Sequence, residues 1–213
     1  LVTSEPKRSL STVTGGDAQA TDSERLQREA EFHNDTFASN TRQAAGKYYA
    51  TARAAKAHYH ELILQGASDR TVLEYGCGRG SAAFDLAGGG AHIAGIDISE
   101  YAVTHAKEEV REALTVGSIA QSLPYDSSSF DFVYSINTLH NLFNYDLGPA
   151  LREIERVRNG PAHVTIESYR DEAEKVNLLY WQLTCRAFMT PAEWEWAFAQ
   201  TGYTGDYGCI YFS

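Results

Sequence analysis

Residues Val72-Leu73-Glu74-Tyr75-Gly76-Cys77-Gly78-Arg79-Gly80 carry the first chemical signal, an aliphatic run that ends in three alternating glycines. A bend stripped of side chains lets backbone N–H groups approach a polar ligand closely. Asp97 follows Gly78 by 19 residues, at the end of the next apolar run. A carboxylate at that spacing suits the hydroxyls of a ribose, in either a dinucleotide or an adenosyl cofactor. Two positions separate these readings. Ser81 stands where the third glycine of a GxGxxG dinucleotide loop would fall, and Glu74 precedes Gly76 by two residues. A carboxylate there repels a pyrophosphate but suits a ligand that carries an ammonium group and a sulfonium. A nicotinamide-dependent oxidoreductase is the disfavoured alternative.

Residues of this kind act only if a scaffold gathers strand ends on one side. From Gly66 onward the sequence predicts that scaffold: strands TVLEY (71–75), HIAGIDI (92–98), LTV (114–116), SFDFVYSI (129–136) and AHVTIES (162–168). Helices are predicted between them: SAAFDLAG, then EYAVTHAKEEVREA capped by Ser99, then one around Ala150 to Arg158. Alternating strands and helices imply an α/β, doubly wound, mostly parallel sheet whose ligand crevice lies at the carboxyl ends of the strands. Thr190-Pro191-Ala192-Glu193 reads as a capping box opening a helix that ends near Gly202, and GDYGCIYF as a last strand. Ahead of the sheet, residues 1–21 read as a disordered lead-in. Residues 22–66 read as a helical cover, with one helix from Asp22 or Ser23 and a second over about 46–64.

On these residues the chain resembles the class I S-adenosylmethionine-dependent methyltransferases, whose first motif reads like LExGCGxG and whose second strand ends in an acid. The resemblance covers about residues 70–170. It implies a Rossmann-like methyltransferase domain over 67–213 and S-adenosyl-L-methionine as cofactor, released as S-adenosyl-L-homocysteine. It further implies that Glu74, Gly76, Cys77 and Gly78 hold the methionine part, Asp97 and Ile98 the ribose, and Ser118 and Ile119 flank the adenine. Asn137 is expected to line the cofactor; of Tyr48 and Tyr49 in the cover, one is expected to close over it, with Tyr49 the candidate, while the other packs in the core. The family's usual final antiparallel hairpin is shortened here to one clear terminal strand.

The loop Asn137-Thr138-Leu139-His140-Asn141-Leu142 ends the fourth strand and faces the sulfonium in the resembled family. A histidine can titrate near neutral pH, and His140 is the candidate catalytic residue, as proton acceptor or substrate contact; the alternative is a histidine that only bonds backbone at the strand end. Asn141 is the candidate for orienting the acceptor. After the fifth strand, Glu167-Ser168-Tyr169-Arg170-Asp171-Glu172-Ala173-Glu174 places four carboxylates in eight residues, with Trp181 following. Glu167, Tyr169 and Trp181 make a candidate pocket for a cationic, polyhydroxylated acceptor. A solvated helix start over a packed aromatic stripe explains the same residues, and Trp194 and Phe198, four apart, read as core. His33 in the segment EFHNDTF either reaches the site or packs in the cover. His58 and His60, two apart on a predicted helix, face different ways and make no metal pair. EFHNDTF, the LHNL loop and the C-terminal tail together resemble small bacterial sugar methyltransferases, among them N-methyltransferases of amino sugars in aminoglycoside antibiotic assembly. O-methylation of a sugar or phenolic hydroxyl, and a non-catalytic cofactor-binding module, are the alternatives.

Composition narrows the partners. Eighteen Lys and Arg against 28 Asp and Glu leave a formal charge of −10, which opposes binding to nucleic acid phosphates or an anionic bilayer. No apolar run is long enough to span a membrane. Cys77, Cys185 and Cys209 have neither the spacing of a zinc site nor that of a disulfide framework, which fits a metal-free protein of the reducing cytoplasm.

Overall fold

The computed structural model describes residues 15–39, 69–181 and 184–212. The second predicted cover helix, with Tyr49, His58 and His60, lies outside the described residues. Helix α1 (Gly15–Ser39) starts seven residues ahead of the predicted cap at Asp22, so 15–21 are helical rather than part of a lead-in. Strands β1 (Thr71–Tyr75), β2 (His92–Asp97), β3 (Leu114–Val116), β4 (Phe132–Ile136), β5 (Ala162–Glu167) and β6 (Asp206–Ile210) form one sheet in the order β3-β2-β1-β4-β5-β6. Every neighbouring pair is parallel. The chain winds outward from β1 to β3, returns to β4, and winds outward the other way. The reversal between β1 and β4 opens the crevice in which such sheets bind ligands.

Parallel strands are covered on both faces, and β5 is accordingly buried at all of its positions. On one face, α5 (Asn144–Val157) and α7 (Pro191–Thr201) supply Leu147, Leu151, Ile154, Trp194 and Phe198 to the core shared with Leu73, Val133 and Val164. Each fully buried side chain of this size contributes about 1.5–3 kcal/mol relative to exposure. The other face is covered by α2 (Ser81–Gly88), α3 (Glu100–Thr104) and α4 (Glu108–Arg111), through Ala82, Leu86, Val103 and Val110. Among the described residues no helix is long and apolar enough to cross a membrane.

Two predicted helices depart from their expected bounds. The helix expected over 100–113 breaks in two at His105. There the Arg79 guanidinium takes the His105 carbonyl (3.0 and 3.2 Å), and the Thr104 hydroxyl bonds the carbonyl of Glu100 (2.8 Å). Helix α5 begins at Asn144, not near Ala150, and absorbs Pro149. The N–H that Pro149 lacks would have served the carbonyl of Tyr145, a residue exposed enough for water to replace it. Residues 172–181 form a further helix, α6 (Glu172–Trp181), where the sequence is irregular in pattern. The capping box at Thr190 and Glu193 is present with both of its bonds, Gly202 ends α7 with φ 74°, and the single terminal strand β6 joins β5 in parallel.

Candidate active site

The glycine bend sits on the switch point between β1, β2 and β4. Gly76 and Cys77 both donate their N–H groups to the carbonyl of Ile96, at 2.8 and 3.0 Å, which folds the bend over the end of β2. Gly76, Gly78 and Gly80 all have positive φ (87°, 53° and 64°), where a side chain is strained. At Gly76 a Cβ would also stand 2.2 Å from the Thr138 hydroxyl, so the β4 loop lies directly on the bend. Cys77 fills the space beneath with a small buried side chain, its Sγ 2.9 Å from where a Cβ on Gly95 would stand.

Asp97 joins this bend to the next one. Its Oδ2 accepts from the Gly78 N–H at 2.7 Å and its Oδ1 from the Ser99 N–H at 2.9 Å. A carboxylate oxygen has more than one acceptor site, so both oxygens retain capacity for hydroxyl donors. Ile98 is half-buried beside it. Gly117 donates to the Asp97 carbonyl at 2.8 Å and so brings Ser118 and Ile119 alongside. The Ser118 hydroxyl accepts from the Ala120 N–H within its own loop, while the carbonyl of buried Ile119 accepts from the Tyr75 hydroxyl at 2.5 Å. Burial raises the Tyr75 phenol well above its usual range, which keeps it a donor.

Glu74 is 1% exposed and stands opposite Tyr134 in the strand register. Burial, then the neighbouring Glu74 charge, raise the Tyr134 phenol well above its usual value. Asn137 has left-handed backbone (φ 59°) and donates its N–H to the Thr165 carbonyl, which leaves its side chain at the mouth of β4. Among the described residues its Oδ1 is buried without a hydrogen-bond partner, and so is Oδ1 of Asn141, four residues on. Unpaired buried acceptors cost free energy unless a donor arrives, so this strand end is built for one.

Helix α1 closes against the same loops. Asn34 Oδ1 accepts from the Ser99 hydroxyl (2.7 Å) and the Tyr101 N–H (2.9 Å), and the Phe37 ring lies 3.2 Å from where a Gly78 side chain would begin. His33 faces Asp97; burial lowers its imidazole pKa while the Asp97 charge opposes that shift. Sequence reasoning puts His33 and Phe37 on one stripe of this helix but does not single out Asn34, although the helical spacing of 33, 34 and 37 places them on one face.

His140 is wholly buried in the short 3₁₀ turn Leu139–Asn141. Its Nδ1 accepts from the Glu167 N–H at 3.3 Å, so the neutral ring carries its proton on Nε2, which lies 3.5 Å from Glu167 Oε2. Burial lowers the His140 pKa to about 3, and the ring is neutral at ordinary pH. The carbonyl of His140 accepts from Arg186 and Ala187, and Trp194 donates to the Glu167 carbonyl at 3.2 Å, closing this pair inside the fold.

The acidic run after β5 makes contacts chiefly with its own sequence neighbours. Glu174 is bound by Arg170 through backbone and guanidinium, Asp171 caps the Glu174 N–H at 2.9 Å, and Glu172 lies 3.9 Å from Lys175. Lys175 also stands over the ring of Tyr169 at 5.2 Å, and Glu167 points inward to His140. Arg170 and Lys175 thus meet Glu174 and Glu172, while Asp171 serves a backbone N–H. Trp181 closes α6, and its side chain lies outside what is described.

Residues 73–161 match the family model described as a methyltransferase domain. An uncharacterized methyltransferase of Synechocystis sp. strain PCC 6803 is 28% identical over 144 residues, 64% of this chain and 66% of that protein's length. Among solved structures, a chain of the complex between the Haloferax volcanii Trm112 methyltransferase activator and the putative methyltransferase superposes with a TM-score of 0.56. It is 24% identical and the match covers 75% of this chain and 74% of that one. The geranyl diphosphate C-methyltransferase of Streptomyces coelicolor A3(2), solved with Mg2+, geranyl diphosphate and S-adenosyl-L-homocysteine, also gives 0.56, at 17% identity over 70% of this chain and 60% of its own. The glycine bend, the acid of β2 and Asn137 just after β4 all fall within the span that matches the methyltransferase-domain family, and the sheet has the class I methyltransferase fold, which supports an S-adenosylmethionine-dependent methyltransferase.

Proposed function

We propose that the protein transfers a methyl group from S-adenosyl-L-methionine to the amine of a small polar acceptor such as an amino sugar. The observation that carries this reading is the pair of unpaired amide oxygens, Asn137 Oδ1 and Asn141 Oδ1, at the end of β4 beside the glycine bend. When bound, the cofactor supplies an electrophilic methyl group and departs as a neutral thioether, so no acid is needed. Asn137 and the backbone of Gly76 to Gly78 hold the aminoacyl end, with the negative charge of Glu74 behind them. Asp97 receives the ribose hydroxyls beside Ile98, while Ser118 and Ile119 wall the adenine. Tyr49 remains a proposed cover residue.

Asn141 accepts from the N–H of the acceptor and aims its nitrogen lone pair. His140 acts as a positioning residue. With Nδ1 already taken by backbone, it fixes Glu167 instead of collecting a proton itself. Glu167, 3.5 Å from His140 Nε2, is the acid proposed to favour an amine on the acceptor side. The net charge of −10 favours a cationic acceptor approaching from solution. Much of the acceleration comes from holding two reactants in line, an effect of roughly 7–11 kcal/mol in well-oriented systems. Tyr169 and Trp181 are retained as contacts to the body of the acceptor, and a cytoplasmic setting suits the cofactor.

The protein is incubated with labelled methyl donor and separate panels of amino sugars, neutral sugars and phenols, and the products are resolved by mass. Transfer to amino groups supports the reading. Transfer only to hydroxyls replaces it with O-methylation.

A further inference from the structure

We propose that Asn34 is a cofactor-positioning residue, and that α1 is the clasp through which it acts, releasing the cofactor only when it lifts. Its single amide oxygen accepts from both the Ser99 hydroxyl and the Tyr101 N–H, across 65 and 67 residues of sequence. Ser99 is wholly buried, and its own N–H fixes Oδ1 of Asp97 while its Oγ caps α3 through the Ala102 N–H. Asn34 thus sets the orientation of the turn that aims the Asp97 carboxylate. One helical turn later on the same face, Phe37 lands on Gly78, whose N–H holds the other Asp97 oxygen. Residues 34 and 37 therefore grip the two loops that Asp97 ties together, one on each side of the ribose position. A ligand held by both loops leaves only after α1 lifts from at least one of them. This rests on the assignment of Asp97 to the ribose.

The test compares Asn34→Ala, Phe37→Ala and Asp97→Ala in the full chain, with Arg28→Ala on the exposed side of α1 as control. Affinity for S-adenosyl-L-homocysteine is measured by calorimetry, dissociation by stopped-flow displacement, and thermal stability without ligand. Losing the two bonds of Asn34 accelerates dissociation about tenfold, and Phe37→Ala accelerates it as well. Association changes little, the thermal midpoint falls modestly in Asn34→Ala because Ser99 and Tyr101 lose their acceptor, and Arg28→Ala matches the parent. An Asn34→Ala/Ser99→Ala pair whose effects on dissociation are less than additive confirms that Asn34 acts through Ser99. Unchanged dissociation in Asn34→Ala, or a drop in thermal midpoint without faster dissociation, overturns the role. If Asp97→Ala binds as well as the parent, the ribose assignment fails, and the positioning role falls with it.

Discussion

Asp97 Oδ2 lies 2.7 Å from the amide nitrogen of Gly78, so the acid that ends β2 and the bend that follows β1 are one hydrogen-bonded unit. The groups that would grip the ribose and the aminoacyl end are therefore coupled. Asp97→Ala removes an acceptor of two backbone N–H groups as well as the proposed ribose contact. Bonds to a charged acceptor contribute about 1.5–3 kcal/mol each, so cofactor affinity falls by roughly ten- to a hundredfold in calorimetric titration. Asp97→Asn keeps the shape but has one acceptor oxygen and falls between.

Gly76 admits no side chain. Its φ of 87° and the Thr138 hydroxyl 2.2 Å from a built Cβ make Gly76→Ala costly twice over. Left-handed backbone and overpacking together destabilise by about 2–5 kcal/mol, measured by urea unfolding. Adding Thr138→Gly to this variant recovers the steric part and leaves the backbone part.

Tyr75 pins the loop after β3, the proposed adenine wall. Tyr75→Phe leaves the buried Ile119 carbonyl without its 2.5 Å donor and costs about 1–3 kcal/mol of stability. Cofactor affinity falls with it, because Ile119 is no longer pinned. Equal affinity in the variant would show that the loop after β3 does not touch the ligand.

His140 makes stability depend on pH. Its folded pKa of about 3 lies below the ordinary 6.5, so on acidification the unfolded chain takes up the proton first. The stabilising contribution of the neutral ring is complete above about pH 6.5 and drains away as pH falls toward about 3, by up to about 1.4 kcal/mol per pH unit. His140→Gln, which does not titrate, gives a flatter profile in unfolding measurements between pH 7 and 4.5. Parallel profiles would contradict the burial of a neutral ring.

The strands were legible because their signals are local. TVLEY and LTV match β1 and β3, and the caps at Ser99 and Thr190 form as their side-chain chemistry dictates. The glycine spacing and the acid at 97 located the bend and its partner for the same reason. What stayed hidden depends on contacts across long stretches of sequence. The break at His105 needs Arg79, and the role of Asn34 needs Ser99, 65 residues away. Within the acidic run after β5, the pairing of Glu174 with Arg170 and of Glu172 with Lys175 follows helical spacing, whereas the contact of Glu167 with His140, 27 residues away, does not show in the sequence.

The central claim is that the bend at Gly76–Gly78 and the acid at Asp97 hold an adenosyl cofactor bearing an amino-acid group. Calorimetric titration of the purified protein with S-adenosyl-L-homocysteine and, separately, with a nicotinamide dinucleotide tests it most directly. The account predicts saturable binding of the first at one site per chain, weakened by Asp97→Ala, and no binding of the second. Binding of the dinucleotide, or no heat with S-adenosyl-L-homocysteine, would contradict it.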